Sequence, residues 1–166
     1  MPRERAVGLK IAVVGGGSTY TPELIEGIAS RRDTLPVDEL ALLDVDAERL
    51  AIVAALARRI LARTDTPVVV TETTDRSAAV DGAAFVLIQL RVGGQAARLI
   101  DETLPLRFGC IGQETTGPGG FAKALRTVPV VLDIANEVGR RATPDARSFT
   151  LSAWFGRFPR RPSQGC

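Results

Sequence analysis

Three consecutive glycines, Gly15, Gly16 and Gly17, follow a short apolar run and precede two hydroxyl residues, Ser18 and Thr19. A strand that ends on glycines and opens a helix lets main chain approach a diphosphate without Cβ collisions. The helix start adds unpaired N–H groups and a partial positive charge. Three glycines in a row cost backbone entropy that a simple reversal does not require, so phosphate binding is the favoured reading over a plain turn. Gly15 and Gly17 take the first two places of the dinucleotide fingerprint, while Tyr20 holds the third, where glycine or alanine is usual. Asp44 closes the second apolar run. An acid there hydrogen-bonds the adenine ribose of NAD and disfavours the extra phosphate of NADP. Its separation from Gly17 exceeds the usual ~20 residues because of the insertion from Arg31 to Asp38. Gly15, Gly16, Gly17, Ser18, Thr19 and Asp44 are therefore the candidate NAD ligands. The alternative for Asp44 is a turn-shaping role ahead of Asp46.

The elements that must hold these residues alternate in kind. Leu9 to Val14 reads as a strand, and Thr21-Pro22-Glu23 as an N-cap, a first-position proline and a first-turn acid of a helix carrying Leu24, Ile25 and Ile28. A strand over Glu39 to Leu43 follows. Asp46 then caps a helix with Leu50, Val53, Ala57, Ile60 and Leu61 at helical spacing. Pro67 to Thr71 and Phe85 to Gln89 are further strands, with a short helix from Asp75 to Val80 between them. Strands apolar on both faces suit a covered parallel sheet. The repeat of strand and helix predicts an α/β fold of the Rossmann type: doubly wound, mostly parallel, ordered 3-2-1-4 with further strands, and with helices on its flanks. A polar, glycine-rich stretch from Gly109 to Gly120 leads into a helix over Phe121 to Arg141 that Pro129 kinks or splits. Residues 1–146 form the NAD-binding domain in this reading, and 147–166 a divergent, poorly ordered tail.

Composition narrows the function classes. The chain has 166 residues, 45% of them apolar, which is enough for one domain with a real core. Its formal net charge is +2, its cationic residues are scattered, and aromatics are 5%, so no nucleic-acid partner is expected. The run from Leu9 to Val14 is too short for a membrane span or a signal-peptide core, and a cytoplasmic location follows. Cys110 and Cys166 are too few for a disulfide framework.

Four motifs in order, Gly-Gly-Gly-Ser-Thr-Tyr-Thr-Pro-Glu-Leu-Ile (15–25), Arg-Val-Gly-Gly (91–94), Arg98 ahead of Asp101 and Glu102, and Gly-Gln-Glu-Thr-Thr-Gly-Pro-Gly-Gly (112–120), closely resemble glycoside hydrolase family 4. The 6-phospho-β-glucosidases are the subgroup most similar, and the resemblance runs from about Leu9 to Thr143. It implies hydrolysis of 6-phosphorylated glycosides by an exception to the two-carboxylate mechanism. NAD oxidises the sugar C3 hydroxyl, a tyrosine removes the C2 proton, and Mn2+ or a similar divalent metal stabilises the enediolate before elimination and water addition. A homo-oligomer is implied for full-length members. Arg98 matches the arginine that binds the substrate phosphate, which a guanidinium fork suits; on the residues alone it would be a helix arginine paired with Asp101 or Glu102. Glu114 matches the glutamate that raises the basicity of the catalytic tyrosine, as a nearby carboxylate does by disfavouring phenolate. Gln113 and the glycines at 117, 119 and 120 shape that loop, while Lys123 and Arg126 read as a solvated helix face, with help in binding the phosphate as the alternative.

The resemblance also has gaps. The chain contains no histidine, Cys110 does not match the family's metal ligand, and Tyr20, the sole tyrosine, sits in the glycine loop. The expectation is therefore no metal site in this chain. Near Ala146 a strand leading to Asn-Pro is expected, and Arg147-Ser148-Phe149-Thr150-Leu151 stands there instead. This reads as a truncation with a shifted frame that leaves the C-terminal catalytic half absent and the chain inactive alone. A nucleotide-binding module without catalysis and a 2-hydroxy-acid dehydrogenase of the same fold are the alternatives. The Gly-Gln-Glu-Thr loop and the lack of histidine argue against the dehydrogenase.

Overall fold

The structure is a computed structural model and describes residues 8–150. It divides into two compact units, one of residues 1–89 and 137–166, the other of residues 90–136.

The first unit is an α/β sheet domain. Its strands are β1 (Leu9–Val14), β2 (Val37–Leu43), β3 (Val69–Thr73), β4 (Phe85–Ile88) and β5 (Arg147–Thr150). They lie in the order β3-β2-β1-β4-β5, and every neighbouring pair is parallel. Helices α1 (Thr21–Ala29), α2 (Ala47–Arg63) and α3 (Arg76–Val80) make the crossovers that parallel pairing demands. Pleating sends alternate residues to opposite faces. Ile11, Val13, Leu40, Leu42 and Val70 accordingly pack with Ile25 and Ile28 of α1 and with Leu50, Ala54, Ala57 and Leu61 of α2. Ala12, Val14, Ala41, Leu43, Val86 and Ile88 are buried as well, so the middle of the sheet is covered on both faces. Each fully buried Leu or Ile contributes about 1.5–3 kcal/mol by leaving water. That burial holds rigid the strand ends from which the candidate ligands project.

The expected order 3-2-1-4 is observed, with β5 added outside β4. Several boundaries differ from expectation. Tyr20, not Thr21, is the N-cap of α1, because the Thr21 hydroxyl is turned inward to donate to the Gly16 carbonyl at 2.8 Å. Asp46 does cap α2, accepting the Arg49 N–H at 3.0 Å. Residues Arg147–Thr150, read in the sequence as the start of the tail, form β5. They pair with β4 from Phe85↔Arg147 to Ile88↔Thr150. The open edge of β4 carries main-chain groups that need partners, and this segment supplies them. Residues 151–166, which hold the rest of the expected tail, lie outside the described residues.

The second unit holds α4 (Gly94–Thr103), a short 3-10 turn (Pro105–Phe108) and α5 (Gly117–Arg141) up to Asn136. Helix α5 begins earlier than expected, with Pro118 in its opening turn, where a fixed φ is favourable. Pro129 neither ends nor divides it. One absent N–H deprives only the carbonyl four residues back, and the remaining helical bonds carry the chain through.

Candidate functional site

Two groups of candidate residues result, one in each unit. In the first, β1 delivers the glycine loop to the C-terminal edge of the sheet, where parallel α/β proteins bind ligands. The N–H groups of Gly15 and Gly16 both donate to the Leu43 carbonyl at 2.8 Å. That of Gly17 donates to Asp44 Oδ2 at 2.9 Å. A Cβ on Gly16 would lie 2.9 Å from Leu42 Cβ, and one on Gly17 would lie 2.8 Å from Asp44 Oδ2. The loop must thus be bare simply to lie against the end of β2. The N–H groups of all three glycines are thus engaged, two by Leu43 of β2 and one by Asp44 just beyond it.

What faces a ligand is the next part of the loop. Ser18 is half-buried and Thr19 exposed, and the Thr19 N–H has no partner among the described residues. Two supports escaped the sequence reading. Gln89, just past β4, donates its side-chain amide to Thr21 Oγ1 at 2.6 Å and to the Gly15 carbonyl at 3.3 Å. Thr21 relays this to Gly16. A glutamine ending an apolar strand, where another apolar residue would pack, was the signal available.

Asp44 is 6% exposed. Besides Gly17, its carboxylate accepts the Asp46 N–H at 3.1 Å and Arg49 Nη2 at 3.0 Å, both on Oδ1. A carboxylate has about four lone-pair positions, so one on Oδ2 remains for a ribose hydroxyl. Asp44 therefore braces the loop as well as the turn ahead of Asp46, the turn-shaping role being the alternative the sequence offered. Bare main chain, two hydroxyls, a helix start and a buried acid at the end of β2 together fit a dinucleotide.

The second group surrounds Glu114, in the loop before α5. One of its oxygens, Oε2, accepts a hydrogen bond from Arg91 and lies 3.7 Å from both Arg98 Nε and Lys123 Nζ. The hydrogen bond from Arg91, followed by the charges of Lys123, Arg91 and Arg98, holds its carboxyl below the usual carboxylate range despite some burial. Arg98 also donates to Glu102 at 2.7 Å. Asp101, buried in α4, is instead held by Arg126, whose guanidinium reaches its two oxygens at 3.2 and 2.6 Å and donates Nε to the Val92 carbonyl at 3.0 Å. Lys123 and Arg126 are thus engaged in ion pairs, not merely solvated. Gly119, in the first turn of α5, shows why glycine is needed where the helix meets this loop: a Cβ there would lie 2.3 Å from the Asp101 carbonyl oxygen and 2.4 Å from that of Gln113.

Among the described residues no three His, Cys, Asp or Glu side chains gather as a divalent ion would need. The described residues do not fit a metal. Among the same residues no helix is long and apolar enough to cross a membrane.

The model of the family described as family 4 glycosyl hydrolase matches residues 10–152, which carries the likeness past Thr143 and through β5. The 6-phospho-beta-glucosidase of Escherichia coli (strain K12) is 47% identical over 132 residues, covering 78% of this chain and 29% of that protein. A 6-phospho-alpha-glucosidase from gut microorganisms, solved in complex with NAD and glucose-6-phosphate, superposes with a TM-score of 0.83 at 32% identity. The match covers 88% of this chain and 35% of that one. The 6-phospho-beta glucosidase from Thermotoga maritima, solved with manganese, NAD+ and glucose-6-phosphate, gives 0.79 at 38% identity, over 87% and 35%. The chain thus spans about a third of the length of the relatives it matches. With the family model aligned to most of its residues, the chain belongs to the family 4 glycosyl hydrolases.

Proposed function

We propose that this chain binds NAD at the glycine loop and a phosphorylated sugar at Arg98, as the coenzyme-binding part of a glycosidase that hydrolyses 6-phosphorylated glycosides. NAD, when bound, supplies the hydride acceptor for oxidation of the sugar C3 hydroxyl. The remaining tasks in this chain are positional. Ser18, Thr19 and the start of α1 receive the diphosphate. Asp44 pins Gly17 and offers its spare lone pair to the ribose. Arg98 grips the phosphate, and Glu114 acts as the carboxylate that tunes a tyrosine base supplied from outside the residues matched here. A C3 ketone makes the neighbouring C–H acidic enough for such a base. Catalysis by the assembled family machinery, its homo-oligomeric state and a cytoplasmic site of action belong to the same reading. The relatives solved with NAD and glucose-6-phosphate support it.

The observation that carries this reading is the pinning of a Cβ-free loop to the end of β2 by Leu43 and Asp44. It is tested by calorimetric titration of the chain with NAD. Heat of binding is expected, and its loss in Gly17→Leu, whose side chain would collide with Asp44 and Arg49. A wild-type chain that is folded by circular dichroism and yet evolves no heat would refute it. The second reading, a nucleotide-binding module without catalysis, is favoured by one observation: the metal-ligand set is not found among the described residues.

A further inference from the structure

We propose that Gln89 is a coenzyme-positioning residue: its amide nitrogen locks the glycine loop through Thr21, and its amide oxygen, held outward by that lock, accepts a hydrogen bond from the second ribose of the dinucleotide. The inference rests on the NAD reading above and adds to it a residue outside the glycine fingerprint and outside the four matched motifs.

The hydrogen bonds around Gln89 can run in one direction only. The Gly15 and Gly16 carbonyls accept and cannot donate. Thr21, fully buried, has a single hydroxyl hydrogen, and it goes to the Gly16 carbonyl at 2.8 Å. The Thr21 oxygen can therefore only accept from Gln89, 2.6 Å away, and the Gly15 carbonyl, at 3.3 Å, can only accept as well. Both neighbours demand the NH2 end of the amide, and its two hydrogens are spent on them. A flipped amide would set its oxygen against two acceptors. The Gln89 N–H, donating to the Val14 carbonyl at 2.8 Å, holds the root of the side chain to the end of β1. Oε1 is what remains. It has no partner among the described residues, where no buried side-chain polar atom goes unpaired, so it is open to solvent.

The place of this oxygen decides what it can meet. Gln89 follows β4, which flanks β1 on the side opposite β2. Asp44, just past β2, takes the adenine ribose in the reading above. A dinucleotide whose diphosphate rests on the loop between them extends its other nucleoside toward β4, where the strand order reverses. An amide oxygen repels phosphate oxygens and pairs only with donors. Beyond the diphosphate, the first donors are the hydroxyls of the second ribose. Gln89 and Asp44 thus offer one acceptor to each ribose from opposite sides of the loop. An acceptor already fixed by its own side chain costs less entropy to engage than one that must first be ordered.

Calorimetric titration of the full chain with ADP, ADP-ribose and NAD tests this, because ADP lacks the second ribose and ADP-ribose lacks only the nicotinamide. The wild-type chain should bind ADP-ribose about fivefold more tightly than ADP, as one net hydrogen bond provides. In Gln89→Met, which keeps the length but not the amide, the two affinities should become equal, even where a loosened loop weakens all three ligands. The ratio of NAD to ADP-ribose affinity should not move. Thr21→Val cuts the lock while keeping Gln89 and should also lower the preference for ADP-ribose; Thr21→Ser should retain it. A preference that persists in Gln89→Met, or that is absent from the wild-type chain, overturns the contact with the ribose. A wild-type preference in Thr21→Val overturns the lock. A folded wild-type chain that binds none of the three overturns the NAD reading itself.

Discussion

Replacing Asp44 by Asn separates the two tasks assigned to this carboxylate. In the wild-type chain the carboxylate accepts three hydrogen bonds, from the N–H groups of Gly17 and Asp46 and from Arg49. An asparagine keeps one acceptor oxygen and turns an NH2 toward a donor on the other side. If the oxygen stays on Gly17, the amide opposes the Asp46 N–H and Arg49. If it flips, it opposes Gly17 and frees the loop. Either way at least one charge-assisted bond is lost in a site 6% exposed, where such a bond contributes about 1.5–3 kcal/mol. For a chain of this length that corresponds to a fall in melting temperature of about 3–12 °C. Thermal unfolding followed by circular dichroism measures the first effect, and calorimetric titration with NAD the second. Arg49→Gln serves as the control. Its side chain is 55% exposed, so its loss should cost less than about 1 kcal/mol. If Asp44→Asn melts at the wild-type temperature while NAD binding is lost, Asp44 holds the coenzyme but not the loop. The argument that β2 shapes the loop through this residue then fails.

Glu137, in the last turn of α5, should make the chain acid-sensitive. Its carboxyl is lowered to about 2, first by hydrogen bonds from Arg140, Ser77 and Arg141. A depressed carboxyl stabilises the fold above the ordinary carboxylate pKa, and that contribution disappears as pH falls through the folded value. The urea midpoint of Glu137→Gln should thus lie below wild type at pH 7 and approach it between about pH 4.5 and 2; a gap that persists unchanged at pH 2 would contradict this. Asp101→Asn should lower the urea midpoint without altering the m-value, because Arg126 loses its bidentate partner. It should also weaken glucose 6-phosphate binding while leaving NAD binding intact. Equal loss of both ligands would show general unfolding in place of a disturbed clamp.

The parts of this structure legible in the sequence are those set by local pattern. The order of the first four strands follows from alternating apolar runs and helical segments, since parallel neighbours need helical crossovers between them. The cap at Asp46 was readable because its side chain answers an N–H three residues on. Less legible was anything that depends on the far side of a contact. Arg147–Thr150 reads as a polar tail because no residue within it demands a strand; the demand comes from the edge of β4. Pro129 reads as a break because proline removes a local bond, yet the rest of α5 tolerates the loss.

The same division separates motif from mechanism in the two sites. By itself the sequence determined that a glycine-rich turn joins β1 to α1, that an acid ends β2, and that a polar loop rich in glycine precedes α5. These are matters of residue type and spacing along one strand or helix. Only the tertiary structure decided that the three glycine N–H groups go to Leu43 and Asp44, that Gln89 and Thr21 brace the loop, and that Arg91, Arg98 and Lys123 meet on one oxygen of Glu114. Hydrogen bonds and ion pairs act over about 3–4 Å, and residues far apart in the chain come within that range only when it folds.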